Sequence, residues 1–185
     1  MRKGSPSDTG KPMRRAPKTS EIEWRQYHEL LHTHPEQYLR IADDTIRQYP
    51  DDPRGYLDCV TYWMDLEEYD CALCDIDNAL ALRENTMTRY QRGVVLRCLG
   101  RYQEAIDEFN RVEAVDPRTF VTLLQIDRAT CHARLGNLEA ALADCARVPD
   151  DFCMPGFDGA LGGTKSQIIA TARRLAAEAQ ASGDA

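Results

Sequence analysis

No apolar run in this 185-residue sequence approaches the roughly 20 residues that a helix needs to cross a bilayer. A membrane span is therefore not expected. Positive charge gathers at the N-terminus, but no apolar stretch stands behind it, so a secretory signal is not expected either. Beyond residue 20 the chain carries 17 basic against 29 acidic side chains, a net of −12. Phosphate contacts need clustered Lys and Arg, and an acidic body argues against a nucleic-acid surface. The cysteines (Cys59, Cys71, Cys74, Cys98, Cys131, Cys145 and Cys153) are odd in number, and most fall within helical patterns. Free thiols in a reducing cytoplasm fit that distribution better than a disulfide framework. No Ser-His-Asp or Cys-His arrangement can be placed. Cys131 and His132 are adjacent, and on a helix their side chains diverge by about 100°. Nothing in the sequence reads as a strand.

What the sequence has is apolar residues at helical spacing. In residues 86–119, Val94, Val95, Leu96, Cys98 and Leu99 form one stretch. Tyr102, Ala105, Ile106, Phe109, Val112 and Val115 form a second, recurring at threes and fours on one helix face. Leu99-Gly100-Arg101 between them leaves room only for a tight turn, and Gly100 can take the left-handed conformation that ends a helix. Asp116-Pro117 stops the second helix, because the residue before a proline is disfavoured in the helical region. The result is a helical hairpin that cannot bury its apolar face alone.

Gly93, the turn Leu99-Gly100-Arg101-Tyr102, Ala105 and Phe109 four apart, and Asp116-Pro117 together resemble one unit of the tetratricopeptide repeat family. The family's usual aromatic early in the first helix is missing, and Arg89 stands there beside Tyr90. Neighbouring segments extend the resemblance. Tyr69 and Tyr102 are 33 residues apart and Gly100 and Gly136 are 36 apart, close to the family period of about 34. The match is good over residues 53–148 and poor over 20–52. It implies an all-α fold, a right-handed α-solenoid of three to four helical hairpins closed by a C-terminal capping helix.

Along the chain, residues 1–19 are basic and rich in Pro, Gly and Ser, and read as a disordered arm. Residues 20–148 are the repeat domain. Ser20-Glu21-Ile22-Glu23 forms a capping box ahead of a first helix, and Pro35 opens a second. Asp52 is expected to cap, and Pro53 to open, a helix carrying Tyr56, Leu57, Val60, Trp63 and Met64. After Pro117, Leu123, Leu124, Ile126, Ala129 and Ala133 lead to Leu135-Gly136-Asn137-Leu138 and the last hairpin's second helix. Residues 149–163 form a Gly-containing loop with exposed-looking Phe152, Met154 and Phe157, long enough to hint at a role. Thr164-Lys165-Ser166-Gln167 is a second capping box and starts the capping helix, residues 164–181.

Three short motifs invite chemistry. His28-Glu29-Leu30-Leu31-His32 places two His at i and i+4, as zinc hydrolases do, with the Glu placed to activate water. It lacks an assignable third ligand and a substrate-binding strand, so a solvated or packed helix is the competing reading. Cys71-Ala72-Leu73-Cys74 falls within a helix with no strand before it, and reads as two small packing residues. Gly159 to Ser166 looks faintly like a phosphate loop, but Thr164 separates Gly163 from Lys165. No cofactor and no metal are expected.

In the family, first helices line a concave groove that holds a partner's peptide. Carried over, the resemblance places Arg54, Leu57, Thr61 and Met64 there from one hairpin. Met87, Tyr90, Val94 and Arg97 come from the next, and Leu123, Ile126 and Thr130 from the last. Members that clamp chaperone tails use Lys and Asn where Leu57, Thr61, Tyr90 and Val94 stand, so that clamp is absent. Apolar anchors, with one carboxylate for Arg97, fit this set better. The expected role is a non-catalytic cytoplasmic adaptor binding another protein's segment. A chaperone for a secreted client and a zinc hydrolase at His28, Glu29 and His32 are the alternatives. Packing of some groove residues against the C-terminal helix or a second copy, as a homo-oligomer, also stays open.

Overall fold

The computed structural model describes residues 21–118, 121–156 and 159–183. The expected arm, Ser20 of the first capping box and Phe157 lie outside the described residues. The chain divides into two compact units, Met1–Tyr38 and Leu39–Ala185.

The first unit holds helix α1 (Glu21–Thr33) and the opening of α2 (Pro35–Gln48). Pro35 starts α2 because a proline at the first helical position gives up an N–H that would have no partner anyway. Between the helices, the His34 carbonyl accepts the N–H groups of Gln37 and Tyr38 at 2.9 and 3.1 Å. Leu31 and Tyr38 are buried, and the Tyr27 ring stacks on Tyr38 with centroids 4.6 Å apart.

The second unit continues along α2 and then runs α3 (Arg54–Asp65), α4 (Tyr69–Leu82), α5 (Thr86–Cys98), α6 (Tyr102–Val115), α7 (Val121–Arg134) and α8 (Leu138–Arg147). Strands β1 (Cys153–Met154) and β2 (Gly163–Thr164) pair antiparallel, and α9 (Lys165–Gly183) ends the chain's described part. Sequence reasoning expected no strand. Two residues a side are too few to show an alternating pattern, so this small ladder had no signal to read. Pro53 also departs from expectation: it sits at the N-cap of α3, and Asp52 Oδ1 accepts the Arg54 N–H at 3.0 Å.

Helices pair as α3/α4, α5/α6 and α7/α8, and each pair packs on the next through α4 with α5 and α6 with α7. The turns show why. Gly100 and Gly136 both have φ of +75°. At the first turn Arg101 N–H bonds the Leu96 carbonyl and Gly100 N–H bonds Arg97, at 2.9 and 3.0 Å. This closes the helix end with its orphan carbonyls satisfied. The α3/α4 turn makes the same two bonds, Glu68 to Trp63 and Glu67 to Met64, but Glu67 holds the left-handed position at φ +58°. A side chain there carries a cost that glycine avoids.

Among the described residues, the core of the second unit runs as two apolar clusters. One lies under α3 to α7 and includes Ile76, Leu96, Phe109, Val112 and Leu124. The other lies under α7 to α9 and includes Ile126, Cys145, Val148, Ile168 and Ala172. Burying each large side chain contributes about 1.5–3 kcal/mol.

Between the hairpins a charged node repeats. Arg92 of α5 bonds Asp77 of α4 at 2.7 Å and Glu108 of α6 at 2.9 Å. Arg128 of α7 bonds Glu113 of α6 at 2.7 Å and grips Asp144 of α8 through two bonds of 2.6 and 2.8 Å. The three members of one node stand 36 residues from those of the other. Each arginine thus ties its own hairpin to the second helix of the one before. Arg89, standing where the family keeps an aromatic, feeds the same Glu108 at 2.7 Å.

Helix α9 closes the stack. Its capping box forms, with Thr164 N–H donating to Gln167 Oε1 at 2.8 Å. Ile168, Ala172 and Leu175 are buried, and Gln180 donates to the Gly136 carbonyl at 2.9 Å, satisfying the last turn.

Candidate functional site

Helices α5 and α7 stand side by side, and the residues expected to line a groove can be followed along them and α3. On α3, Arg54 is exposed and pairs with Asp52 at 2.6 Å, while Leu57, Thr61 and Met64 are half-buried. The Thr61 hydroxyl donates to the Leu57 carbonyl at 3.0 Å. Met87 is exposed, and Tyr90 and Val94 are half-buried against the first cluster. Leu123 is exposed, whereas Ile126 and Thr130 are buried, at 3% and 1% exposure.

Five of these residues come together. Tyr90, Val94, Arg97, Leu123 and Ile126 line a cavity of about 290 Å³, joined by Asp127, Met154, Ala160 and Leu161. Arg54, Leu57, Thr61, Met64, Met87 and Thr130 are not part of its lining.

The polar edge of this cavity is built from within. Tyr90 OH donates to Asp127 Oδ2 at 2.6 Å, and Arg97 Nε approaches Asp127 Oδ1 at 3.1 Å. Burial, reinforced by the Asp127 charge, pushes the Tyr90 hydroxyl well above its usual range, so it stays a donor. The sequence reading placed Arg97 in the groove to meet a partner's carboxylate. The structure corrects this: Arg97 is 5% exposed and its charge is matched by Asp127. Taking a buried arginine out of water requires a counter-charge, and Asp127 supplies it.

Thr130 is likewise engaged within the fold. Its hydroxyl accepts the Leu161 N–H at 3.0 Å while donating to the Ile126 carbonyl at 2.7 Å, beneath residues of the 149–163 loop. That loop is not a free excursion. Leu161 is 2% exposed, and Phe152 and Met154 pack half-buried against the second cluster. Residues 153–156 and 159–164 form a strap whose two sides meet at Gly156 and Gly162. A Cβ on Gly162 would lie 2.1 Å from the Gly156 nitrogen, so only glycine permits this approach. Asp127, Met154, Ala160 and Leu161 were missed by sequence reasoning. The loop's length was the available signal for three of them; nothing marked Asp127.

The other motifs resolve on contacts. His28 is half-buried beside the Tyr27 and Tyr38 rings, at centroid distances of 5.6 and 6.3 Å, and His32 is exposed. Among the described residues no group of three or more His, Cys, Asp or Glu is placed to hold a metal ion. Lys165 is engaged with Asp150 at 2.8 Å and the Ala146 carbonyl at 3.1 Å, pinning α9 to the end of α8. Cys71 and Cys74, expected to pack, are exposed; Ala72, Leu73 and Ile76 take the inner face of α4 instead. All seven cysteines are free thiols, and burial pushes Cys59 and Cys131 up to about 12 and Cys145 to about 11. Among the described residues no helix is long and apolar enough to cross a membrane.

No protein-family model matches the sequence, and no curated protein matches it. Solved structures do. The chain is similar to a MamA RS-1 double mutant at 21% identity, covering 70% of this chain and 73% of that one, with a TM-score of 0.60. A thermophilic TPR protein of Thermus thermophilus matches at 17% identity over 86% and 78% of the two chains, with a TM-score of 0.56. The chain has the tetratricopeptide repeat fold. A third tetratricopeptide-type match is PilW, a widely conserved type IV pilus biogenesis factor. It is 21% identical over 71% of this chain and 61% of PilW, with a TM-score of 0.57. At these identities the likeness carries the fold and no more.

Proposed function

We propose that this protein is a non-catalytic interaction module that binds an extended, largely apolar segment of another protein along its first-helix groove. The observation that carries the reading is the cavity of about 290 Å³, where Tyr90, Val94, Leu123 and Ile126 converge from α5 and α7. Apolar walls with few polar groups favour side-chain anchors over a charged ligand, since Arg97 and Asp127 already neutralise each other. Met87 and Leu123, at 47% and 36% exposure, extend that apolar surface outward where a partner can reach it. Arg54, Leu57, Thr61 and Met64 continue the same face on α3.

Selection from a displayed peptide library against the intact chain tests this. The expected result is a family of related apolar peptides whose affinity falls at least about tenfold for Leu123→Asp and Met87→Asp, a loss of about 1.4 kcal/mol. Enrichment of nothing beyond background, or peptides indifferent to both substitutions, would remove the groove reading.

A further inference from the structure

The strap occupies the last hairpin's share of the groove in the manner of a bound segment. It presents a backbone N–H, from Leu161 to Thr130 Oγ1 at 3.0 Å, and it buries an apolar anchor, the Leu161 side chain. Backbone hydrogen bonding plus an anchored side chain is how extended peptides are captured. The strap is also pinched at Gly156 and Gly162, so Met154 and Leu161 seat or leave together.

Its composition opposes staying seated. Gly156, Gly159, Gly162 and Gly163 fall within it, with φ of +74° at Gly159 and +95° at Gly163. Glycine loses the most conformational freedom on ordering, so each one lowers the gain from closure. Cys153, Pro155, Gly156 and Gly159 are exposed, and each strand is two residues long. Segments with short ladders and solvated backbones open locally at far less cost than the fold as a whole.

We infer that the strap is a built-in competitor for the groove, displaced by a partner segment of its own chemistry. That partner is an extended peptide with a leucine-like anchor following a small residue, as in Ala160-Leu161-Gly162, and with a backbone N–H free for Thr130. The inference rests on the interaction-module reading and adds to it which half of the groove is gated and by what.

Two measurements test it. In hydrogen exchange on the intact chain, the Leu161 amide should exchange at least about tenfold faster than amides in the middle of α7, and independently of dilute denaturant. Exchange at the α7 rate with the same denaturant dependence would make the strap part of the global fold and overturn the proposal. In trans, a labelled peptide of residues 153–164 should bind the Ala160→Gly, Leu161→Gly double variant at least about tenfold more tightly than it binds wild type. Equal binding to both, or binding to neither by a folded variant, overturns the proposal; if the variant does not fold, the exchange result decides. The two readings fail separately. Library peptides that bind wild type and the double variant equally leave the module standing and remove the strap's role, whereas no selected peptide and no trans binding remove both.

Discussion

The central hairpin, α5/α6, and the last, α7/α8, share a register but not a surface. Tyr90 and Val94 correspond to Ile126 and Thr130, each 36 residues on, yet the first pair is half-buried and the second pair is buried, with Thr130 bonded to Leu161 of the strap. Gly93 and Phe109 correspond to Ala129 and Cys145. The central hairpin puts its bulk on the second helix and leaves a glycine opposite; the last splits the volume more evenly. Glu108 is met by three arginines, Arg89, Arg92 and Arg111, whereas Asp144 depends chiefly on Arg128, with Arg147 at 3.9 Å. Equivalent positions in a repeat thus fix where a side chain points, and the neighbours decide what it does.

The largest expected effect comes from the charged nodes. Arg128→Met should destabilise the fold by about 3–5 kcal/mol, because it strands a buried Asp144. Arg92→Met should cost less than half of that, since Glu108 keeps Arg89 and Arg111. Urea unfolding of both variants measures the difference, and equal losses would mean the extra arginines at Glu108 carry no weight.

Leu124 and Leu161 are equally buried, each 2% exposed, but one belongs to a helix and the other to the strap. Leu124→Ala should cost about 2–5 kcal/mol. Leu161→Ala should cost under half as much, because a strap that detaches locally limits what its anchor can contribute to global stability. Matching losses in melting experiments would break that contrast.

At Gly93 an added Cβ would lie 2.5 Å from Phe109 Cε1, so the buried ring must shift. Gly93→Ala should therefore cost about 1–3 kcal/mol. A neutral result would show that the central hairpin can redistribute its volume as the last one does. The turns give smaller changes of opposite sign. Gly100→Val should destabilise by at least about 1 kcal/mol, and Glu67→Gly should stabilise by about 0.5–1 kcal/mol, since both positions hold positive φ. Thermal melts showing no gain for Glu67→Gly would mean the α3/α4 turn carries no strain.

The smallest effect is pH-dependent. Burial raises the Glu113 carboxyl, but hydrogen bonds from Arg147 and Arg128 outweigh it and hold the group below its ordinary value of 4.5. A carboxyl lowered on folding contributes stability that is present above 4.5 and is lost as pH falls below it. Glu113→Gln should flatten that part of the stability profile; an unchanged acid limb would assign it to other carboxylates.

The hairpins were legible because they rest on local rules. Apolar spacing, Gly100 and Gly136 at turns, and Pro35 at a helix start each act within a few residues. The α3/α4 turn was harder to read, because Glu67 takes a conformation that glycine usually announces. The candidate site was half legible. The resemblance placed Tyr90, Val94, Leu123 and Ile126 on one face, and the structure gathers them around one cavity.

By itself, then, the sequence determined that this is a stack of helical hairpins, where they turn and most of the apolar positions that face inward, Cys71, Cys74 and the 74% exposed Val115 excepted. Only the tertiary structure decided that Asp127 neutralises Arg97, that Arg92 and Arg128 repeat a bridge between hairpins, and that Leu161 of the strap bonds Thr130. The physical reason is distance along the chain. Helix propensity and turn chemistry are settled between near neighbours, whereas these contacts join residues 15 to 31 positions apart, and their pairing depends on how the hairpins stack.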